Sequence, residues 1–429
     1  MSCQPPSLRQ FAEDIATGGR AAAMPVGSFA CARGCGLFML PRRAGAAEEV
    51  LVARRPDSSP QSTPLRPAVG RVLDEAIVTF RRGDPVLLDG ENGAVLAIAA
   101  ELVTDESLNR LRNMSSRRLN VVLTRRRAVA LGLAPRSALA GVVRVTVAAQ
   151  LSAAVIRKLA DPSASLGAEP PGLGPEPATA EPGALAAVTL AKLADLLPAA
   201  LVLWLVPTEA ALARRRADFS VVDMTAVLNR RAAIAELERV AEARVPLTNA
   251  EDARLVAFRP RDGGTEHLAI LIGTPDPANG VLVRLHSECF TGDVLASLRC
   301  DCGEQLQGAI ATIAAAGGGV LLYLAQEGRG IGLVNKLRAY QLQDAGFDTI
   351  DANEQLGFDA DERVYLPAAE MLKQLGYTSV RLLTNNPDKV AALERYGINV
   401  VERVPHVFPA NGHNERYLNT KATRSGHIL

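Results

Sequence analysis

Cys289, Cys300 and Cys302 form a C-x10-C-x-C set in a chain of 429 residues that holds six cysteines. Any fold of this sequence has to accommodate three thiols spaced so closely. Thiolates bind Zn²⁺ tightly, and zinc prefers four tetrahedral ligands. With no fourth ligand evident nearby, one position is left for water, as in catalytic rather than structural sites. A metal there lowers the pKa of its water toward ~7. Three reduced, buried thiols, or a structural site completed by a distant histidine, are the alternatives. No evenly spaced framework of the secreted kind is present. A reducing compartment is therefore expected, where a cysteine cluster favours metal over disulfide.

The length implies two or three domains, each able to bury a core. Hydrophobic residues are 48% and charged residues 22%, ordinary for a globular protein. A formal charge of +1 and 4% aromatics argue against nucleic-acid or membrane partners. No apolar run reaches the ~18–20 residues of a spanning helix. The start, with Glu13 and Asp14, lacks the basic-then-apolar order of a signal peptide. The expected localisation is cytoplasmic.

Taken in order, residues 1–70 are rich in Pro, Ser, Ala, Gly and Arg and read as a poorly structured, low-complexity extension, with short strands at 37–40 and 49–53. Cys31 and Cys35 in it read as ordinary thiols. From 71 the pattern turns α/β. Val72, Ala76, Ile77 and Phe80 recur at helical spacing before Gly83. Strands are expected at 85–88, 94–99, 121–123 and 200–205, with helices at 105–112 and 184–196. Residues 161–183 are a Pro/Gly-rich linker. A helix over 231–243 leads to a strand-rich second half: 253–259, 266–271, 280–286, 320–324, 380–383 and 400–404. Between these lie a helix at 303–316, with Leu306, Ile310 and Ile313 inward, a glycine-rich strand-to-helix junction at 326–333 and a polar tail from 414. That junction is a natural phosphate or nucleotide site, with a tight packing turn as the bland alternative. Lys336 and Tyr340, four apart, share a helix face. The fold class is α/β (α+β): two mixed-sheet domains covered by helices, at 71–230 and 235–429.

R-V-L-D-E-A-I-V-T-F-R-R-G-D-P-V-L-L-D (71–89), A-A-E-L-V-T-D-E-S-L-N (99–109) and the helix-strand pair at 184–205 resemble 3,4-dihydroxy-2-butanone 4-phosphate synthase. The departures concern its chemistry. The family's acidic loop D-x-x-D-R-E-N-E-G-D is reduced to Asp89-Gly90-Glu91-Asn92-Gly93, its R-x-G-H-T-E-A segment reads Glu181 to Ala187, and no histidine precedes His267. That reaction needs carboxylates for Mg²⁺ and an acid/base pair. The resemblance implies a degenerate domain kept as a scaffold or for dimerisation.

In the second half, R-L-H-S-E-C-F-T-G-D (284–293), S-L-R-C-D-C-G (297–303), Q-E-G-R-G-I-G-L (326–333), K-L-R-A-Y (336–340), Q-L-G-F-D-A-D-E-R (355–363) and L-L-T-N-N-P-D-K-V (382–390) together closely resemble GTP cyclohydrolase II. The resemblance implies hydrolysis of GTP to a diamino-ribosylamino-pyrimidinone phosphate, formate and pyrophosphate, the opening step of riboflavin biosynthesis. It implies Zn²⁺ on Cys289, Cys300 and Cys302, Mg²⁺ with the triphosphate, and a homodimer. By the same resemblance Arg363 is the nucleophile toward the α-phosphorus, Asp361 its proton acceptor, and Tyr340 assists near the metal-bound water. Stabilising phosphate charge is the physically easier task for a guanidinium. Substrate contacts implied are Arg284, Leu285, His286, Ser287, Glu288, Gln305, Glu327, Gly328, Arg329, Thr349, Thr384 and Lys389, with Glu327 reading guanine. Ala325 stands where a basic residue is expected. A regulatory GTP-binding protein without turnover and a bifunctional riboflavin enzyme are the competing readings.

Overall fold

The computed structural model describes residues 68–136, 141–148, 151–163, 174–177, 181–230, 236–261, 263–424 and 426. Met1–Thr63 and Pro64–Leu429 are separate units, and the described residues all lie in the second. The strands expected at 37–40 and 49–53 and the Cys31/Cys35 pair fall outside the described residues.

Two seven-stranded mixed sheets carry the fold. The first contains β1 (Val86–Gly90), β2 (Gly93–Ala99), β3 (Asn120–Thr124), β4 (Val142–Thr146), β5 (Gly174–Pro177), β6 (Ala199–Leu205) and β7 (Ser220–Asp223), in the order β5-β4-β3-β6-β2-β1-β7. Its pairings are antiparallel except β1 with β7. Among the described residues seven helices accompany it: α1 (Ala68–Arg81), α2 (Asp105–Met114), α3 (Arg125–Ala130), α4 (Ala153–Ala160), α5 (Pro182–Leu193), α6 (Pro207–Ala213) and α7 (Met224–Leu228). Strand alternation sends Val86, Leu88, Val95, Ala97 and Val202 to one face, where α1 and the alanine-rich α5 cover them. On α1 the buried stripe is Leu73, Ala76 and Phe80, while Val72, expected inside, is 39% exposed. The opposite face, with Leu87, Leu96, Ile98, Val121 and Leu201, shares a core with Ile331, Ala339, Leu342, Ala352, Leu356 and Phe358 from the second half.

The second sheet contains β8 (Leu237–Arg244), β9 (Arg254–Pro260), β10 (His267–Gly273), β11 (Val281–Ser287), β12 (Gly318–Leu324), β13 (Ser379–Leu383) and β14 (Asn399–Val404). The order is β14-β13-β11-β12-β10-β9-β8. The first four of these run parallel and the rest pair antiparallel. Around it lie α8 (Cys302–Ala315), α9 (Leu333–Asp344), α10 (Thr349–Gln355), α11 (Leu366–Gln374), α12 (Pro387–Arg395) and α13 (Glu415–Arg424). Because β11 sits between β12 and β13, the chain leaves it toward opposite sides and opens a crevice at its carboxyl end. Open α/β sheets bind ligands at such a point.

Three expectations are corrected. The helix expected over 231–243 is instead strand β8 from Leu237, and 231–235 lie outside the described residues. Its Ala, Glu and Arg residues favour a helix, but backbone pairing with β9 at the sheet edge overrides that preference. Within the linker at 161–183, Gly174–Pro177 pairs with β4 as an edge strand, and α5 already begins at Pro182. The tail beyond 414 is a helix with Asn414, Tyr417, Leu418 and Thr420 turned inward; the Lys421 side chain and His427 are outside the described residues.

Candidate active site

Cys289 follows β11 directly, a single helical turn at Phe290–Asp293 comes next, and Cys300 and Cys302 lead into α8. Asp293 organises this turn from within. Its carboxylate accepts the Cys289 amide at 3.0 Å, the Tyr323 hydroxyl at 2.9 Å and faces His286 Nε2 at 3.0 Å. Burial lowers the His286 pKa against the pull of Asp293. The three Sγ atoms all lie within 4.8 Å of one another, and those of Cys289 and Cys300 are 3.8 Å apart. Thiolates about 2.3 Å from one ion at tetrahedral angles stand about 3.8 Å apart, whereas a disulfide needs about 2.05 Å. Gly292 makes room for the cluster: a Cβ there would meet Cys300 Sγ at 2.9 Å and Cys289 Sγ at 3.1 Å. The donor set fits zinc.

Lys336 on α9 points into this cluster. Its ammonium lies 3.1 Å from Cys289 Sγ, 2.9 Å from Thr291 Oγ1 and 2.8 Å from Glu327 Oε1. Hydrogen bonds from Cys300 and Cys302 together with the Lys336 charge push the Cys289 thiol far below its usual range, while Cys300 is pushed up to about 11 by its bond to Cys289. Tyr340, one turn further along α9, sets its hydroxyl 3.4 Å from Thr291 Oγ1, and burial keeps that phenol protonated.

A cleft opens over the sulfurs. Arg284 forms one wall: Nη1 donates to the Leu383 carbonyl at 2.9 Å, Nη2 to Gln305, and Nε is buried without a hydrogen-bond partner. Burial brings its pKa down to about 10. The glycine-rich junction forms another wall, with Gly328 and Arg329 both left-handed at φ 64° and 63°. Gly328 adopts this freely, whereas Arg329 holds it under strain, as residues at ligand sites do. Glu327 accepts from Lys336, from the Phe290 amide at 2.6 Å and from the Gly328 amide at 2.7 Å. Those bonds leave little of its roughly four-site acceptor capacity for a ligand.

Arg363 reaches the cleft from the 357–363 segment, with its Nε 2.8 Å from Asp361 Oδ1. Burial opposes its charge, but Tyr365 and the Asp361 carboxylate outweigh burial and raise its pKa. Asp361 is raised by burial and lowered further by Arg363, ending below its ordinary value. The pair is therefore ionised.

Cys289, Cys300, Cys302, Tyr340, Arg363, Arg284, His286, Ser287, Glu288, Gln305, Glu327, Gly328, Arg329, Thr349, Thr384 and Lys389 all border this cleft. Two residues of the expected set do not. Leu285 points into the core under the sheet, as strand alternation requires between Arg284 and His286, and offers only its carbonyl, to Lys389 Nζ at 2.8 Å. Asp361 stands behind Arg363 rather than on the wall. Sequence reasoning left Lys336 open between solvent and site and did not bring in Arg299, Asn353, Asn385, Asn386 or Tyr417, which also border the cleft. For Asn385 and Asn386 the signal was available, since T-N-N-P lies at the carboxyl end of β13. Ala325 carries no charge to the site; its amide donates to His267 Nδ1 at 3.0 Å.

Residues 238–405 match the family model described as GTP cyclohydrolase II. The GTP cyclohydrolase-2 of Azospirillum brasilense is 53% identical over 394 residues, covering 87% of this chain and 98% of that protein. The Escherichia coli GTP cyclohydrolase-2 is 55% identical over 194 residues, 45% of this chain and 98% of its own length. Among solved structures, a two-domain 3,4-dihydroxy-2-butanone 4-phosphate synthase from A. baumannii covers 78% of this chain and 99% of its own, at 18% identity and a TM-score of 0.33. On the strength of a relative that matches it along nearly its whole length, this chain belongs to the GTP cyclohydrolase II family.

Proposed function

We propose that this cleft carries out the GTP cyclohydrolase II reaction (EC 3.5.4.25), the first step of riboflavin biosynthesis. GTP and water give 2,5-diamino-6-(5-phosphoribosylamino)pyrimidin-4(3H)-one, formate and pyrophosphate. The observation that carries this reading is the three-sulfur cluster facing the same cleft as Arg363. Cys289, Cys300 and Cys302 would hold a zinc ion, which when bound would supply Lewis-acid activation of water for hydrolysis of the guanine imidazole ring. Tyr340, protonated by burial, donates near that water. Arg363, cationic beside Asp361, stabilises charge at the α-phosphorus as pyrophosphate departs. A guanidinium with a raised pKa is a poor nucleophile, so we assign Asp361 to holding Arg363 in place. Arg284, His286, Ser287, Glu288, Gln305, Arg329, Thr349, Thr384 and Lys389 hold the nucleotide. Mg²⁺ enters with the triphosphate, held mainly by its oxygens and water.

The test is purified protein with GTP, Zn²⁺ and Mg²⁺, following formate and pyrophosphate together. Both products are expected. Pyrophosphate alone indicates a variant reaction, and neither indicates a regulatory GTP-binding protein.

For the half built on the first sheet we propose a catalytically inactive brace. Of the two acidic residues kept in the shortened loop, Asp89 and Glu91, Asp89 is held by Arg214 at 2.7 and 2.6 Å. Next to it, Met224 packs against Gly90 and Val95 against Gly183, so that a Cβ on either glycine would come within 3.0 Å. Ribulose 5-phosphate should therefore give no dihydroxybutanone phosphate. The family resemblance suggests a homodimer, and Phe290, Val294, Leu295 and Leu298 are between 42% and 66% exposed in one short segment that a second copy would cover. Sedimentation at micromolar concentration should give twice the chain mass. Among the described residues no helix is long and apolar enough to cross a membrane; we place the enzyme in the cytoplasm.

A further inference from the structure

The family match ends at residue 405, yet the chain beyond it returns to the cleft. His406 is clipped on both sides: its amide donates to Asn385 Oδ1 at 2.8 Å, and its Nε2 lies 2.9 Å from the Gln305 carbonyl. Asn385 and Gln305 are both wall residues. Phe408 then presses its ring onto Gly308 of α8, where a Cβ would come within 2.7 Å of two ring carbons. A turn closed by Asn411 and Asn414 follows, with bonds of 2.8 and 2.9 Å, and starts α13.

At its far end α13 is fastened again. Arg424 Nη1 pairs with Asp351 Oδ1 at 2.8 Å and with Asp348, at the start of α10. That helix carries Thr349 and Asn353, which border the cleft from the other side. The segment thus runs from the Gln305 and Asn385 wall to the Thr349 wall. Ten helical residues span about 15 Å, and Tyr417 of α13 borders the cavity.

We propose that α13 roofs the nucleotide site and that Tyr417 is a further catalytic residue, its hydroxyl donating to an oxygen of the bound nucleotide between the sulfur cluster and Arg363. This rests on the GTP reading of the cleft. The surroundings suit a neutral donor. A phenol, with an ordinary pKa of ~10, is a neutral donor at pH 7. A donor that carries no charge can approach a phosphate or ribose oxygen without opposing the cations already there.

The test compares full-length, zinc-loaded protein with Tyr417→Phe, which removes one hydroxyl and keeps the ring. Expected is a fall in kcat/KM for GTP of roughly tenfold to a hundredfold, the loss of one hydrogen bond to a charged group. Zinc content and Tm should stay unchanged. In the parent, a non-cleavable α,β-methylene analogue of GTP should slow amide hydrogen exchange across 415–424, and Arg424→Ala should weaken that protection. Kinetics of Tyr417→Phe within twofold of the parent, or amides of 415–424 indifferent to the analogue, would overturn the proposal. If the parent itself releases no formate, the GTP reading fails separately. Equal affinity of parent and Tyr417→Phe for the analogue would still defeat the role given to Tyr417, and a tenfold loss would support it.

Discussion

The two sheets have the same number of strands and differ in what stands at their loops. At the first, Met224 and Val95 fill the space beside Gly90 and Gly183 with apolar atoms, and Asp89 of the short loop is tied to Arg214. At the second, the carboxyl ends of β11, β12 and β13 present sulfurs, guanidiniums, an ammonium and amides to one open cleft. Sheet size therefore says nothing about chemistry. What separates the halves is whether the loops keep polar groups that cost free energy to hold together unless a ligand or metal joins them.

The largest effect that would break this contrast belongs to the cysteines. Cys300→Ser should remove zinc and bring formate release to background, because a hydroxyl at that position is a far weaker zinc ligand than a thiolate. Formate release at the parent rate with zinc retained would mean the polar cleft is not the reacting one.

Next comes Arg363→Lys, which keeps the charge but loses the planar fork that Asp361 holds. Both kcat and kcat/KM should fall about 10²–10³-fold, the scale of losing one preorganised charge stabiliser. Pyrophosphate release should suffer at least as much as formate release. The pair also gives a pH signature. Asp361 is depressed below its ordinary value near ~4. Its contribution to stability is therefore present above that value and lost as pH falls through the lower folded one. In Arg363→Ala the acid limb of a stability titration should move up toward ~4; an unmoved limb would show that the pair contributes nothing there.

How far these features were legible depended on whether their cause is local. The sulfur cluster was, because its chemistry needs only residue type and close spacing. So were β10 and β12, whose apolar runs at 268–272 and 320–324 adjoin glycine turns. The β8 segment was not: Leu-Glu-Arg-Val-Ala-Glu-Ala-Arg has helical propensity throughout, and only pairing with β9 makes it a strand. Lys336 could be assigned to a helix face with Tyr340, but nothing within the helix says whether that face meets solvent or Cys289. The same holds for Tyr417, Leu418 and Thr420 on α13, which packs against α10, some sixty residues earlier in the sequence.

The smallest effect tests what the silent half contributes. The 357–363 segment that carries Arg363 is gripped from the first sheet. Thr124 Oγ1 donates to the Gly357 carbonyl at 2.7 Å, Arg126 reaches Glu354 at 2.7 Å and Asp359 at 3.3 Å, and Lys192 pairs with Glu362, whose side chain is 3% exposed. A Cβ on Gly357 would meet Thr124 Oγ1 at 2.8 Å, so the approach is close. Lys192→Met removes the Lys192 ammonium from the buried Glu362 carboxylate, which keeps the Asp359 amide at 3.0 Å, at a cost of about 1–3 kcal/mol. Tm should drop, and kcat should fall a few-fold as Arg363 loses its fixed position, with KM and zinc content little changed. Adding Glu362→Gln removes the stranded charge and should restore much of the Tm. If Lys192→Met lowers Tm but leaves kcat untouched, the first sheet only stabilises the chain; if kcat falls and the second substitution recovers Tm alone, the grip itself serves the reaction.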